Sequence, residues 1–228
     1  EKGDFDATST AAAIVYCAEL ENLPQPQAQN TFDRYYKDLA KRLEPGAQYV
    51  FTPYEARSVL AFLFMGQKDR ALQLMNFLLS CRRPPGWNHL AEVAHSDPRF
   101  PCYIGDMPHT WVGSEFIHAA RGLLLYERGR TLVLGAGIDP KWMESESGVS
   151  IRHAPTLFGV INYSMKKMGD TVRVSISGDV LPPEGILVHS PLAEPPVEVT
   201  VNGQKAELAP DLAVRVAQVP AEIVLRYR

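Results

Sequence analysis

The chain has 228 residues, of which 46% are hydrophobic, so it can bury the core of one large domain or two small ones, and overall disorder is excluded. Its formal net charge is −3 with both signs intermixed, so a nucleic-acid-binding protein is not expected. The longest apolar stretches, such as residues 59–65, fall far short of the roughly 20 residues that a membrane-spanning helix needs, so no membrane span is expected.

Up to about residue 128 the apolar residues recur at helical spacing, which predicts a series of α-helices. Asp6, Thr8 or Ser9 is a candidate cap for the first helix, and Thr52 followed by Pro53 is a typical start for the third. The link at residues 66–68 is so short that it makes the third and fourth helices an antiparallel hairpin. The predicted helices cover residues 11–20, about 31–43, 52–65, 69–80 and about 108–128.

Between the last two helices, residues 81–108 are interrupted by several prolines and predict one extended loop. The loop contains Trp87, Phe100 and Tyr103, aromatic residues that disordered segments rarely keep, so we expect it to be ordered. In the helix that follows, Phe116, Ile117, Ala120 and Leu124 are expected to face inward.

After about residue 131 the apolar residues alternate, which predicts about nine short strands and hence an antiparallel β-sandwich. Two turns carry hairpin signals, Gly169-Asp170 and Asn202-Gly203, the second being the favoured pair for a type I′ turn. The predicted fold class is therefore α+β, with a helical-hairpin domain over residues 1–130 and a β-sandwich domain over residues 131–228.

Three cysteines, Cys17, Cys81 and Cys102, are too few for a disulfide-stapled module, leave room for one bridge at most, and match no metal motif. The chain begins at Glu1 without a methionine or a signal segment, so we expect it to be a fragment or a processed product. The residues themselves identify no compartment.

Aromatic, acidic and imidazole side chains concentrate in and around the long loop. A loop above helical hairpins can gather such groups into one pocket, where aromatic rings contact sugar C–H groups while carboxylates and imidazoles bind hydroxyls. A carbohydrate or a similar polyol is the expected ligand. The members of this group are Trp87, Asn88, His89, Glu92, His95, Asp106, His109 and Trp111.

A structural explanation exists for several members of this group. Trp87 and Trp111 could instead fill the junction with the β half with their side chains, and Asp106 could cap the last helix. The offsets between His89, His95 and His109 do not place two ligands on one helical face, so no metal ion and no cofactor are expected.

Hydrolysis of a glycosidic bond needs two carboxyl groups, one protonated and one ionised. Glu55 and Glu92 are the candidates because each lies beside aromatic residues at a helix end or in the loop. The favourable interaction of an acid with a helix N-terminus explains the position of Glu55 equally well. Asp4 and Asp6, which precede the first helix, are explained as helix caps, and His118 is expected to be packed or solvated. Spacing alone assigns no acid/base pair.

Three strings taken together resemble the C-terminal part of bacterial proteins of the six-hairpin glycosidase superfamily, α-L-rhamnosidase-like in a broad sense. The strings are Thr52-Pro53-Tyr54-Glu55-Ala56-Arg57, residues 85–93 (PGWNHLAEV) and residues 105–112 (GDMPHTWV). The resemblance implies an (α/α)6 toroid closed by a β-sandwich, and a carbohydrate-active protein that is a glycoside hydrolase when its chain is complete. It implies Glu92 and Glu55 as acid or base, Asp106 and His109 as substrate or structural contacts, and Trp87 and Trp111 as sugar-stacking residues. His89, from the same loop, is a further candidate for substrate binding.

The same resemblance implies that part of the protein is missing here. A full toroid has twelve helices and the sequence predicts about five, so the exposed edge must be covered by an absent N-terminal half or by a second copy of the chain. The family resemblance also favours a periplasmic or extracellular location.

Two alternatives stay open at this point. One is a polysaccharide lyase, in which Tyr103 and His109 would serve as base and charge neutraliser. The other is a non-catalytic carbohydrate-binding or structural module, in which replacing Glu92 or Glu55 by Gln changes no measured property.

Overall fold

The computed structural model describes residues 11–17, 23–84, 86–100 and 105–228. The proposed caps and acids at Asp4, Asp6, Thr8 and Ser9 lie outside these residues, as do Cys102, Tyr103 and the predicted end of the first helix at Leu20. The chain is a mixed α and β protein that separates into two compact units, Glu1–Gly122 and Leu123–Arg228. None of the described helices has the length and hydropathy that crossing a bilayer requires.

The first unit is mainly helical. It contains a π-helix at Ala13–Cys17, α1 at Gln25–Arg42, β1 at Val50–Phe51, a 3-10 helix at Pro53–Ala56, α2 at Arg57–Phe64, α3 at Lys68–Ser80, β2 at Ala94–His95 and α4 at Thr110–Leu124.

Helix α1 begins six residues earlier than the sequence pattern predicts, with Pro26 in its first turn, where a missing N–H is harmless. Its buried face is made by Ala28, Phe32, Tyr35 and Leu39 at helical spacing. Phe32 and Tyr35 contact Phe62 of α2, with ring centroids 5.6 and 5.9 Å apart. Helix α2 is therefore packed against α1 through aromatic rings.

Helices α2 and α3 pack against each other across the link Met65-Gly66-Gln67. The Gly66 N–H donates to the Leu63 carbonyl and the Gln67 N–H donates to the Phe62 carbonyl, the two bonds of a Schellman motif. Gly66 has a φ of +70°, which the motif requires. Every residue from Ser58 to Leu63 is buried, so α2 is covered on more than one side.

The segment predicted as one extended loop, residues 81–108, contains a short strand. Within it, β2 pairs antiparallel with β1, so that Val50 faces His95 and Phe51 faces Ala94. The pairing anchors the middle of the loop to the chain just before the 3-10 helix. Backbone hydrogen bonds to a distant strand are invisible to local periodicity, which is why the prediction missed it.

The last helix ends at Leu124 and not at Arg128, and its inward face differs from the prediction. Val112, Glu115 and Ala119 are buried, whereas Ile117 is 69% exposed. Gly122, also in α4, lies so close to the Leu60 side chain that a Cβ there would overlap it. The small glycine thus permits close packing of α4 on α2.

Antiparallel strands make up most of the second unit. They are β3 at Leu125–Arg128, β4 at Thr131–Leu134, β5 at Val149–Thr156, β6 at Gly159–Met168, β7 at Thr171–Gly178, β8 at Ile186–His189, β9 at Glu198–Val201, β10 at Gln204–Lys205, β11 at Ala213–Val216 and β12 at Ala221–Arg226; a 3-10 helix covers Pro140–Glu144.

Two sheets are formed, with strand orders β10-β9-β12-β7-β6-β5 and β11-β8-β4-β3. Both predicted hairpins are confirmed: Met168 pairs with Thr171, and Val201 pairs with Gln204 across Asn202 and Gly203, which both have positive φ. The expectation of fully antiparallel sheets is wrong at one place, since β4 and β8 pair in parallel.

The two sheets share one hydrophobic core. Leu132, Leu134 and Val188 from the four-stranded sheet and Val174 and Ile223 from the six-stranded sheet belong to the same buried cluster. All five side chains are fully buried, which follows from the alternation of apolar and polar residues along the strands. Alternate residues of β7 and β12 in the six-stranded sheet are buried, whereas every residue of β4, Thr131–Leu134, is buried.

Candidate active site in the helical unit

The long loop brings Glu92, Asp106 and His109 together. The Glu92 N–H donates to the Asp106 carbonyl at 3.1 Å, and the His109 N–H donates to the Leu90 carbonyl at 3.0 Å. Residues 90–92 therefore lie beside residues 106–109, although fourteen positions separate Glu92 from Asp106 in the chain. One ligand atom of each of the three side chains lies within 4.8 Å of the others.

Gly105 holds the Glu92 carboxylate in place. A Cβ at Gly105 would overlap Oε2 of Glu92, and the φ of Gly105 is +64°, which L-residues other than glycine rarely adopt. The Asp106 N–H lies 3.4 Å from the same Oε2. Because residue 105 has no side chain, the Glu92 carboxylate can lie against the backbone of Gly105 and Asp106.

His109 is oriented by Tyr54 from the 3-10 helix. The Tyr54 hydroxyl and Nε2 of His109 form a hydrogen bond of 2.6 Å, and the other ring nitrogen, Nδ1, lies 3.7 Å from Oδ2 of Asp106. The His109 side chain is half-buried, whereas the Asp106 side chain is exposed. Nδ1 of the imidazole is consequently the ring nitrogen near Asp106.

Trp111 provides an exposed aromatic surface beside these groups. Its ring lies 5.1 Å from the Tyr54 ring in an edge-to-face arrangement, and 58% of the residue is exposed. The Arg57 guanidinium lies over both rings, 5.4 Å from the centroid of Tyr54 and 5.7 Å from that of Trp111. We call Tyr54, Glu92, Asp106, His109 and Trp111 the His109 cluster.

Tyr54 stays protonated within the cluster. Burial raises its pKa, the nearby Glu92 carboxylate raises it further, and the Arg57 charge opposes both. The net pKa lies above the ordinary value of 10.0. Tyr54 therefore acts as a neutral hydrogen-bonding group at neutral pH.

Arg57 joins the His109 cluster to a second group that the sequence analysis missed, the Glu115 network of Tyr16, Arg57, Glu115 and His118. Arg57 donates to Oε1 of Glu115 from Nε at 2.8 Å, and its Nη2 lies 2.7 Å from the same oxygen. The Tyr16 hydroxyl donates to Oε2 of Glu115 at 2.6 Å. Glu115 is buried, so its charge is matched by two partners rather than by water.

The charge state of Glu115 fixes the direction of the remaining hydrogen bond. Burial alone would raise its pKa, but the hydrogen bonds from Arg57 and Tyr16 and the Arg57 charge lower it below 4.5. The ionised carboxylate accepts the hydrogen bond of the Tyr16 hydroxyl, and the pKa of Tyr16 is raised by burial and by Glu115. Nδ1 of His118, 3.0 Å from the Tyr16 oxygen, must then carry the hydrogen and donate it.

The spacing of Glu115 and His118 offered a signal that could have revealed this network. Residues three apart on a helix share one face, so Glu115 and His118 of α4 point the same way. A buried Glu in a helix also requires a cation, and Arg57 lies in one of the three strings that carry the family resemblance.

Glu55, the second predicted acid or base, is placed in a different environment. It is buried, its Oε2 accepts a 2.6 Å hydrogen bond from the Tyr35 hydroxyl, and Arg42 donates to the same atom at 2.7 Å. Successive side chains of a 3-10 helix point about 120° apart, so Tyr54 and Glu55 face different sides. Tyr54 reaches His109 while Glu55 reaches helix α1.

Trp87 and His89 form a separate aromatic pair in the loop. Their ring centroids are 5.7 Å apart, and Trp87 is 60% exposed. The neighbouring Asn88 accepts a hydrogen bond from Arg82 at 2.6 Å. The structure thus brings Glu92, Asp106, His109 and Trp111 into one cluster with Tyr54, and pairs Trp87 with His89.

No protein-family model matches the sequence, and no curated protein matches it significantly. Among solved structures, the chain is similar to the crystal structure of a β-L-arabinofuranosidase of glycoside hydrolase family 127 from Geobacillus stearothermophilus T6, with 14% sequence identity and a TM-score of 0.33. The similarity covers 76% of this chain and 31% of that one. Likeness at this level assigns neither a fold nor an activity.

Proposed function

We propose that the chain is part of a carbohydrate-active, glycoside-hydrolase-like protein, and that the His109 cluster is its sugar-binding site. The observation that carries the proposal is the exposed Trp111 ring beside two carboxylates and an oriented imidazole. A sugar ring offers C–H groups on one face and hydroxyls around its edge, so an aromatic surface flanked by acceptors suits it.

The architecture that we propose for the complete protein is an (α/α)6 toroid followed by a β-sandwich. The packed pair of helices α2 and α3 supports the first part, and the single core shared by the two sheets supports the second. The helices of this chain would then form part of the toroid, completed by further helices or by a second copy.

Hydrolysis by general acid/base catalysis is the finer part of the proposal, with Glu92 as the proton-transferring residue. Inverting glycosidases separate their carboxyl groups by about 6.5–9.5 Å to admit a water, and retaining ones by about 5–5.5 Å. Glu92 and Asp106 have oxygens within 4.8 Å, which is closer to the retaining separation. We assign the buried Glu55 to stabilisation of the fold instead.

A lyase is less well supported than a hydrolase. Its base would have to lose a proton near neutral pH, whereas the raised pKa of Tyr54 keeps the hydroxyl beside His109 protonated. Tyr103, the base considered from the sequence, lies outside the described residues.

Sugar binding tests the proposal directly. We expect the chain to bind at least one member of a panel of plant and bacterial oligosaccharides, and Trp111→Ala to weaken that binding by about 1–2 kcal/mol, five- to thirtyfold in Kd. Trp142→Ala is the matched control, because Trp142 is a partly exposed indole of the second unit. Binding that is absent from the whole panel, or equal in both variants, contradicts the proposal.

Release of sugar tests the finer part. Glu92→Gln should abolish hydrolysis by the protein that contains this chain while sugar binding persists, because Gln keeps the shape of Glu but cannot transfer a proton. Unchanged hydrolysis in Glu92→Gln would contradict the role assigned to Glu92. A protein that releases no sugar and binds it equally well in both forms would be a binding module.

A further inference from the structure

The three ligand-type side chains of the His109 cluster converge through the backbone. Glu92 and Asp106 are held side by side by the hydrogen bond from the Glu92 N–H to the Asp106 carbonyl, and His109 is tied to Leu90 in the same way. One donor atom from each of Glu92, Asp106 and His109 lies within 4.8 Å of the other two. The convergence is therefore built by the loop and not by chance meetings of long surface side chains.

The imidazole is set up as a ligand. Nε2 of His109 is hydrogen-bonded to Tyr54 at 2.6 Å, and Nδ1 lies 3.7 Å from Oδ2 of Asp106, too far for a direct hydrogen bond. In the tautomer with its hydrogen on Nε2, His109 donates to the Tyr54 oxygen and the lone pair of Nδ1 is left on the side of Asp106. Metal-binding histidines commonly donate their other ring N–H to such a partner.

We propose that Glu92, Asp106 and His109 bind a divalent transition-metal ion such as Zn²⁺ or Mn²⁺. Imidazole favours transition metals, whereas Ca²⁺ takes six to eight oxygen ligands. Ligand atoms about 2.1 Å from one ion lie roughly 3.0–3.6 Å apart, so any pair of ligand atoms near the 4.8 Å limit has to move closer when the ion binds. The Asp106 side chain, which is 84% exposed, is able to make this movement.

Three protein ligands leave coordination positions open for water or for hydroxyl groups. A bound ion would occupy the Glu92 carboxylate. This consequence rests on the proposed function: where Glu92 is the acid or base of hydrolysis, Zn²⁺ inhibits hydrolysis by occupying that carboxylate. Binding of the ion itself requires no sugar and no activity.

Isothermal titration calorimetry of the untagged chain with Zn²⁺ tests the site. We expect one saturable site, and we expect its loss in Glu92→Gln, Asp106→Asn and His109→Gln; Gln at residue 109 can still hydrogen-bond to Tyr54. Matched controls are Asp97→Asn, an exposed acid of the same loop, and His153→Asn, an exposed imidazole at a positive φ that Asn tolerates. Both controls should bind Zn²⁺ like the unsubstituted chain.

A pair of glycine variants separates the site from general effects on the loop. Gly105→Ala places a methyl group against Oε2 of Glu92, whereas Gly86→Ala meets nothing within 4 Å; both glycines have positive φ. Both variants strain the backbone, so thermal unfolding should shift in both, and it should shift further in Gly105→Ala, whose methyl group also overlaps Glu92. Only Gly105→Ala should weaken Zn²⁺ binding, by about tenfold or more.

Absence of saturable Zn²⁺ binding at micromolar concentrations would overturn the inference, as would equal affinity in the ligand variants and the controls. Zn²⁺ binding without any sugar binding would support the metal site and contradict the proposed function. Sugar binding without Zn²⁺ binding would support the proposed function and contradict the metal site. Thermal unfolding of each variant confirms that a lost signal comes from a folded chain.

Discussion

Glu55 and Glu92 look alike in the sequence, each beside aromatic residues, yet their surroundings give them different tasks. The Glu55 carboxylate is buried between the Arg42 guanidinium and the Tyr35 hydroxyl. Glu92 is half-buried in the loop and rests on the backbone of Gly105. A carboxylate that is buried against an arginine stabilises the fold, whereas Glu92 borders solvent, where a ligand can reach it.

Glu55→Gln should therefore destabilise the helical unit. The substitution keeps a hydrogen-bond acceptor for Tyr35 but leaves the Arg42 charge without its partner, and removing one member of a buried ion pair costs about 3 kcal/mol. Urea unfolding followed by circular dichroism measures the loss. Asp38→Asn is the control, because its ion pair with Lys41 is exposed and should change the unfolding free energy by less than about 0.5 kcal/mol.

A Glu55→Gln chain that is as stable as the original but has lost hydrolysis would contradict this assignment. It would return Glu55 to the role of acid or base that the family resemblance implies. An equal loss in Glu55→Gln and Asp38→Asn would instead show that the Arg42 ion pair is no stronger than an exposed one.

At the scale of elements, the Glu115 network ties together the π-helix, the start of α2 and the first half of α4. Tyr16, Arg57 and Glu115 come from these three elements, and their polar atoms meet at 2.6–2.8 Å. The network also positions Arg57 over the rings of Tyr54 and Trp111. The aromatic surface of the His109 cluster thus depends on an ion pair beneath it.

The network predicts a pH dependence of stability. The pKa of Glu115 is lower in the folded chain than its ordinary value of 4.5, so the unfolded chain binds more protons at mildly acid pH. The contribution of Glu115 is complete above pH 4.5 and is lost as the pH falls through the lower, folded pKa. The stability that Glu115 contributes should therefore decline as the pH falls below 4.5.

Glu115→Gln isolates this contribution. It should lower the unfolding free energy by about 2 kcal/mol at pH 7, because Arg57 loses a charged partner, and the difference from the unsubstituted chain should shrink toward pH 3. Urea unfolding at several pH values measures both. Glu198→Gln breaks an exposed ion pair with Arg226 and should give a small difference at every pH; a constant deficit in Glu115→Gln would refute the assignment.

Local patterns predicted most elements, and their failures have a common cause. The run of apolar residues from Leu123 to Tyr126 fits a helix and a buried strand equally well, and β3 exists because Leu125–Arg128 pairs with Thr131–Leu134 around Gly129. The parallel pairing of β4 with β8 joins residues more than fifty positions apart. Pairing partners at that distance leave no local signature.

The candidate site, too, was predicted only in part. Residue types and the family strings selected Glu92, Asp106, His109 and Trp111, and the structure gathers them with Tyr54. Spacing gave no reason to expect a shared ligand set, because the loop's backbone hydrogen bonds, rather than a helical face, bring Glu92 to Asp106. Glu115 was not predicted because its role depends on the ion pair with Arg57, which lies 58 positions away in the chain.

At the scale of the whole molecule, the chain consists of two units with separate cores. The β unit, residues 123–228, places side chains from both sheets in one continuous hydrophobic cluster. A core of this kind is what allows a domain of about 100 residues to fold alone. The helical unit contains every residue of the His109 cluster and the Glu115 network.

We therefore expect residues 123–228, expressed alone, to fold into a β structure that unfolds in one cooperative transition. Ile223→Ala should lower its unfolding free energy by about 3 kcal/mol, because Ile223 is fully buried on β12, between β7 and β9. Leu157→Ala removes a side chain that is 81% exposed and should change it by less than about 0.5 kcal/mol.

Circular dichroism and urea unfolding of the isolated unit and of the whole chain check this expectation. Ile223→Ala should shift the same transition by a similar amount in both contexts, because the core that it weakens lies within residues 123–228. An isolated unit without a cooperative transition, or an Ile223→Ala effect that appears only in the whole chain, would mean that the β unit depends on the helical residues for its stability.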